Sequence, residues 1–212
     1  LDGATADMAF ALLLAAARRL VVGDHYARSA AFTRYDPGTM LGHEVHHATI
    51  GIIGLGGNGR RLAQVLAPFR TTILATDMYP EDCPPEVAEL HPADALDAIL
   101  PRVDIAILCV PLNAQTQGMI DARRLALMRP GSILINVARG PVVVERDLVA
   151  ALQSGHLFGA GVDVTEVEPL PVDSPLWDLP NVLITPHVGA QSLRRADVTT
   201  RFLADNLARY VQ

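Results

Sequence analysis

Ile50-Gly51-Ile52-Ile53 runs without a break into Gly54-Leu55-Gly56-Gly57-Asn58-Gly59, and the helical pattern Arg60-Arg61-Leu62-Ala63-Gln64-Val65-Leu66 follows. A short apolar run, a glycine loop and a helix in that order give the pattern Gly-x-Gly-x-x-Gly its meaning. Gly54 allows the tight turn, Gly56 lets an anionic pyrophosphate approach the backbone, and Gly59 lets helix and strand pack closely. The amides of Gly57 and Asn58 then face the anion at the helix N-terminus, where the dipole and the free N–H groups both favour negative charge. Turns collect glycine for other reasons, so the triplet alone is weak. The next apolar run strengthens it: Ile73-Leu74-Ala75-Thr76-Asp77 ends in an acid 18 residues past Gly59, where a carboxylate holds adenosine ribose hydroxyls. An isolated Asp77 would read as an ordinary strand-end turn residue; paired with the loop it reads as a ligand. An acid there repels a 2′-phosphate, and no arginine follows in Met78-Tyr79-Pro80, so the expected cofactor is NAD rather than NADP.

Outward from this unit, apolar runs and helical patterns alternate. Expected strands are Thr49–Gly54, Thr72–Asp77, Asp104–Val110, Ser132–Val137, Phe158–Val164 and Asn181–Pro186, with expected helices at Asn58–Phe69, Ala93–Leu100, Asp121–Met128, Val144–Ser154 and Ser192–Val211. Strands that are apolar throughout, with helices between them, mark a parallel sheet covered on both faces. The fold class is therefore α/β, a doubly wound Rossmann sheet with helices on both faces. Residues 49–190 form its cofactor domain, 1–48 an interdomain or dimerisation helix and loop, and 191–212 a C-terminal helix. The passage from Gly23 to Ala48, holding Pro37-Gly38 and Leu41-Gly42, is polar and turn-rich.

Composition bounds the remaining classes. Gly and Pro make up 31 of the 212 residues and half are apolar, which excludes a disordered chain or a collagen-like fibre. A net charge of −6 argues against a nucleic-acid partner. Two cysteines, Cys83 and Cys109, make no disulfide framework and have no metal-ligand spacing, pointing to a reducing compartment, the cytoplasm. The longest apolar run, Met8 to Ala17, is ten residues, short of a bilayer span, and reads as a buried helix capped near Thr5 and closed by Arg18-Arg19. His43-Glu44-Val45-His46-His47 matches His-Glu-x-x-His, but turns before it and a strand after it leave no room for the helix that zinc chemistry needs. No metal site is assigned.

With NAD as cofactor, catalysis needs an acid/base, a cation for the substrate anion and a wall for the nicotinamide, all at C-terminal strand ends. Arg139 follows one strand, Asp163 and then Glu168 another, and His187 the last; Cys109-Val110-Pro111 gives an apolar edge. Singly these are a surface cation, a loop acid and a strand-end histidine. Together, on strand ends, they supply the acid/base and the cation that such a site needs.

These segments resemble the D-isomer-specific 2-hydroxyacid dehydrogenases from about Thr5 to Leu207, nearly the whole chain. The residues that carry the resemblance are the glycine loop, Met128-Arg129-Pro130-Gly131-Ser132, Asn136-Val137-Ala138-Arg139-Gly140, Gly161-Val162-Asp163-Val164, Pro175-Leu176-Trp177 and Thr185-Pro186-His187. The resemblance implies that Arg139 grips the substrate's carboxylate and carbonyl, and that Glu168 pairs with His187. It further implies that Asp163 touches the nicotinamide amide, that Val110 and Pro111 line the nicotinamide ribose, and that Val137 and Ala138 border the cofactor. Pro141 departs from the family's glycine, Val144 from an acid, Asn58 from the usual glycine-loop residues, and Thr165 from an aromatic, which alters the substrate pocket.

The implied activity is interconversion of a small 2-keto acid and a D-2-hydroxy acid. Glyoxylate, hydroxypyruvate and phosphohydroxypyruvate all remain open; formate is disfavoured because that branch has an amide where Glu168 stands. Family members carry a second, smaller substrate domain built mostly upstream of the first helix. The opening residues already match mid-chain family sequence, so the expectation is a piece of a longer chain rather than an enzyme that has lost its lid. The alternative from another class is an NADH-binding regulatory or sensor module without turnover. Ten consecutive apolar residues at Met8–Ala17, with few places to hide in a lone domain, point to a homodimer through this segment. No membrane partner is expected.

Overall fold

The apolar runs form strands because both of their faces are covered. The computed structural model describes residues 2–29 and 40–210. Its strands are β1 Thr49–Ile53, β2 Thr72–Asp77, β3 Glu89–Pro92, β4 Ile105–Leu108, β5 Ser132–Asn136, β6 Leu157–Val162 and β7 Val182–Ile184. They form one sheet in the order β3-β2-β1-β4-β5-β6-β7, and every neighbouring pair is parallel. Register is set from the centre: Ile50 of β1 lies beside Ile73 of β2 and Ile105 of β4. The chain leaves β1 towards β2 on one side and returns to β4 on the other, so a crevice opens at the C-terminal ends of β1 and β4.

The helices are α1 Asp2–Ala17, α2 Leu20–Arg28, α3 Gly57–Leu66, α4 Leu96–Ile99, α5 Ala122–Leu127, α6 Glu145–Gln153 and α7 Arg195–Tyr210. Alternate strand residues divide between two cores. Ile105 and Ile107 join Leu12, Leu13, Leu62 and Leu66 under α1 and α3, while Ala106 and Leu108 join Leu96, Leu125 and Leu148 under α4, α5 and α6. Burying such side chains is worth roughly 1.5–3 kcal/mol each. The sheet is thus the doubly wound α/β architecture expected of the sequence.

Three local differences set the structure apart from these expectations. β3 was not expected, because Glu89-Leu90-His91-Pro92 carries one strongly apolar residue and ends in proline; an edge strand tolerates both. Arg102 donates to Glu89 and holds its carboxyl at about 2, well below its ordinary value. α2 occupies part of the passage expected to be turns: Gly23 sits inside it, and the Asp24–Arg28 pair at 2.8 Å spans one helical turn. Finally, α1 starts before Thr5, which is helical rather than a cap.

The apolar run of α1 is the buried helix expected of it, housed within the chain. Ala6, Ala9, Leu12, Leu13 and Ala17 are buried against α3, β5 and β6. Gly161 makes room for it, since a Cβ there would lie 2.9 Å from Leu12 Cβ. The unburied apolar surface that motivated a dimer is therefore absent from this face. The expected Pro37-Gly38 turn and Val211 lie outside the described residues. Among the described residues no helix is long and apolar enough to cross a membrane.

Candidate active site

The crevice holds the glycine loop as its first wall. Gly54 follows β1 with φ +98°, and a Cβ on it would meet the Cys109 backbone and Val110 Cγ1, each at 2.9 Å. Gly59 lies in the first turn of α3 against the Gly54 carbonyl oxygen, leaving no space for a side chain. Gly56, the cap before α3, faces open space, as a site approached by a pyrophosphate requires. Gly57 and Asn58 open the helix with free amides. Asp77 ends β2 and ties the loop down: Leu55 N donates to its Oδ2 at 2.7 Å and Tyr79 N to its Oδ1 at 3.0 Å. Each carboxylate oxygen keeps a second lone pair for a ribose hydroxyl. These residues fit a dinucleotide.

β4 supplies the opposite wall. Val110 is half-buried and Pro111 exposed just beyond it. Cys109 is enclosed beneath Gly54, and burial pushes its thiol up to about 12. Val137 and Ala138, beyond β5, are buried in opposite cores, so they present backbone rather than side chains to the crevice. Asn136 braces this turn, accepting from Ala138 N at 3.0 Å and donating to Arg139 O at 3.2 Å.

Arg139 is exposed, donates from Nη1 to Ala138 O at 2.6 Å, and has no carboxylate partner among the described residues. Its neighbour Gly140 packs directly on the Thr165 carbonyl oxygen, where a Cβ would collide with backbone. That contact brings the arginine loop against the loop that carries Glu168. Thr165 N donates to Glu168 Oε1 at 3.2 Å, and His187 Nδ1 donates to Glu168 Oε2 at 2.7 Å. Since a carboxylate only accepts, Nδ1 carries the proton and Nε2 is directed away from Glu168.

His187 is held by Asp163. The Asp163 carboxylate is buried and accepts from Thr185 Oγ1 at 2.6 Å, Val188 N at 2.9 Å and Gly189 N at 2.7 Å, while His187 N donates to Asp163 O at 2.8 Å. These bonds grip the chain on both sides of His187, which sits at φ 54°, a left-handed conformation that needs such restraint. A cavity of about 590 Å³ opens beside the Glu168–His187 pair, walled by Leu170, Trp177, Ile184 and Pro186. Gly140, Thr185 and Gly189 escaped the sequence reading as structural members of the site; the first two lay inside quoted motifs and Gly189 two residues past His187, but the function of each depends on a neighbour across space. The segment His43–His47 is irregular, with His43 edge-on to Phe158 at 4.4 Å between ring centres.

Fold and glycine loop together define a dinucleotide-binding domain. Residues 10–189 match the model described as the D-isomer specific 2-hydroxyacid dehydrogenase, NAD binding domain. The chain belongs to this family, and NAD is its cofactor. A glyoxylate reductase of Pyrococcus furiosus is 40% identical over 213 residues, covering 98% of this chain and 62% of that protein. A solved glyoxylate reductase from Paecilomyes thermophila has a TM-score of 0.86 at 30% identity, covering 100% of this chain and 62% of that one. A D-isomer specific 2-hydroxyacid dehydrogenase from Xanthobacter autotrophicus Py2, in complex with NADPH and MES, has a TM-score of 0.83 at 33% identity, covering 99% and 83%. The chain thus spans about three fifths of the length of the curated relative, at 62%.

Proposed function

We propose that the chain carries the cofactor-binding and acid/base half of an NAD-dependent reductase interconverting a small 2-keto acid and a D-2-hydroxy acid, of the glyoxylate, hydroxypyruvate or phosphohydroxypyruvate type. The observation that carries this reading is the 2.7 Å contact between His187 Nδ1 and Glu168 Oε2 on loops joined to Arg139 through Gly140 and Thr165. NADH, when bound, supplies a hydride. Arg139 presents two parallel N–H groups to the substrate's carboxylate and carbonyl oxygen and orients the carbon between them. His187, protonated and held by Glu168, gives its Nε2 proton to the carbonyl oxygen during reduction and takes it back in oxidation. Val110, Pro111, Val137, Ala138 and Asp163 border the nicotinamide half of the site in this reading. Cytoplasmic residence, supported by the free thiols Cys83 and Cys109, and a homodimer through residues 1–48, supported by exposed Leu20 and Val21 on α2, complete it. Light scattering giving 22.7 kDa at high concentration would remove the dimer.

The test is NADH consumption by the 212-residue chain against a panel of 2-keto acids. His187→Ala is expected to reduce kcat about 10²–10⁴-fold with NADH affinity kept. Glu168→Gln is expected to reduce kcat and shift its pH profile; full turnover in Glu168→Gln would refute the pairing. Tight NADH binding with no turnover of any acid would instead favour the regulatory-module reading.

A further inference from the structure

An arginine reaches the adenosine-ribose corner from a direction that reading past Asp77 does not reveal. Arg60, in the first turn of α3, donates from Nε to Leu55 O at 3.1 Å. The backbone N–H of Leu55 in turn donates to Asp77 Oδ2 at 2.7 Å. The guanidinium and the ribose-binding carboxylate therefore flank a single residue of the glycine loop. The two outer nitrogens of Arg60 are engaged by Asp82, Nη1 with its Oδ2 at 2.9 Å and Nη2 with its backbone oxygen at 2.8 Å. Asp82 belongs to the turn that follows β2, together with Glu81. Arg61 takes no part, since its Nη1 donates to Gln64.

We propose that Asp82 is a determinant of NAD over NADP, acting by occupying Arg60, so that this corner contains a masked site for a 2′-phosphate. The inference rests on the assignment of the chain as an NAD-binding domain. A 2′-phosphate entering beside Asp77 meets two carboxylates, those of Asp77 and Asp82, against one guanidinium already paired. Removing the Asp82 carboxylate changes the balance twice: one repulsive charge leaves, and Arg60 gains free donors in the fork geometry that suits phosphate. The Asp82 side chain is 82% exposed and the Arg60 side chain 36%, so the pair is solvated and readily exchanged for a ligand. Asp77 repels the phosphate directly; Asp82 withholds the cation that would offset that repulsion.

The test measures dissociation constants for NADH and NADPH from nicotinamide fluorescence, a readout that needs no turnover. In Asp82→Asn the ratio of the NADPH to the NADH constant is expected to fall about tenfold, and less at high salt, where exposed charges are screened. In the double variant Arg60→Ala with Asp82→Asn that gain is expected to vanish. An unchanged ratio in Asp82→Asn, or a gain that survives loss of Arg60, would overturn the proposal. Failure of the unmodified chain to bind NADH would overturn the dinucleotide assignment itself, a different outcome read in the same titration. Asp82 lies on an exposed turn, and unchanged far-ultraviolet circular dichroism in Asp82→Asn would separate a local effect from unfolding.

Discussion

Gly140 shows how much a single missing methyl can decide. A Cβ on it would run into the Thr165 carbonyl oxygen, so Gly140→Ala must move one of two loops, those carrying Arg139 and Glu168. Overpacking of this kind costs about 1–3 kcal/mol, and the expected result is a Tm several degrees lower. The catalytic loss should exceed what the stability change explains, because Arg139 and the His187–Glu168 pair lose their mutual placement; thermal melts beside steady-state kinetics check both. At this scale the sequence disclosed side chains whose chemistry is intrinsic. Arg139, Glu168 and His187 are recognisable as a cation, an acid and an acid/base wherever they stand. Asp163 is different: its type suggested a ligand, and its geometry adds a second task, since three hydrogen bonds to its carboxylate come from the chain around His187. Arg60 was invisible for a related reason, since it reaches Asp82 across 22 residues of chain.

Elements were legible where burial on two faces forces an apolar run and obscure where solvent permits a mixed one. All six expected strands lie in the sheet, the inner ones because they supply apolar residues to both cores and β7 because its half-buried Val182, Leu183 and Ile184 pack against them. β3 and α2 sit at edges, where Glu89 with Arg102 and Asp24 with Arg28 stabilise what hydrophobic patterning does not announce. Helix-to-helix contacts show the same dependence on charge. Asp97 on α4 accepts from Arg123 Nη1 at 2.6 Å and Arg124 Nε at 2.7 Å on α5, and these guanidiniums hold its carboxyl at about 2. A folded-state value below the ordinary 3.8 means that the contact stabilises the fold above that value and loses this contribution as pH falls through about 2. Asp97→Asn should therefore melt below the parent at pH 7, and the gap should close between about pH 4 and pH 2 in calorimetric scans.

For the whole molecule, the sheet order followed from the alternation of runs, whereas the relation of the outer helices to the sheet did not. The C-terminal helix α7 has no buried residue, and Val198, Phe202, Leu203, Leu207 and Tyr210 form an exposed apolar face. Phe202→Asp combined with Leu207→Asp is expected to shift unfolding free energy by no more than about 0.5 kcal/mol while lowering binding of an apolar dye. A large drop in Tm would mean that this face is packed in solution. The first helix has the opposite character. α1 makes none of its core by itself: its main partners are α3, β5 and β6, and β6 ends at Val162. During synthesis Leu12 and Leu13 therefore emerge well before the surface that will cover them, and they must wait for some 150 further residues. Until then an apolar helix stands bare, a natural handle for a chaperone. Because it docks on α3 from one half of the sheet and on β5 and β6 from the other, α1 acts as a clasp across the two.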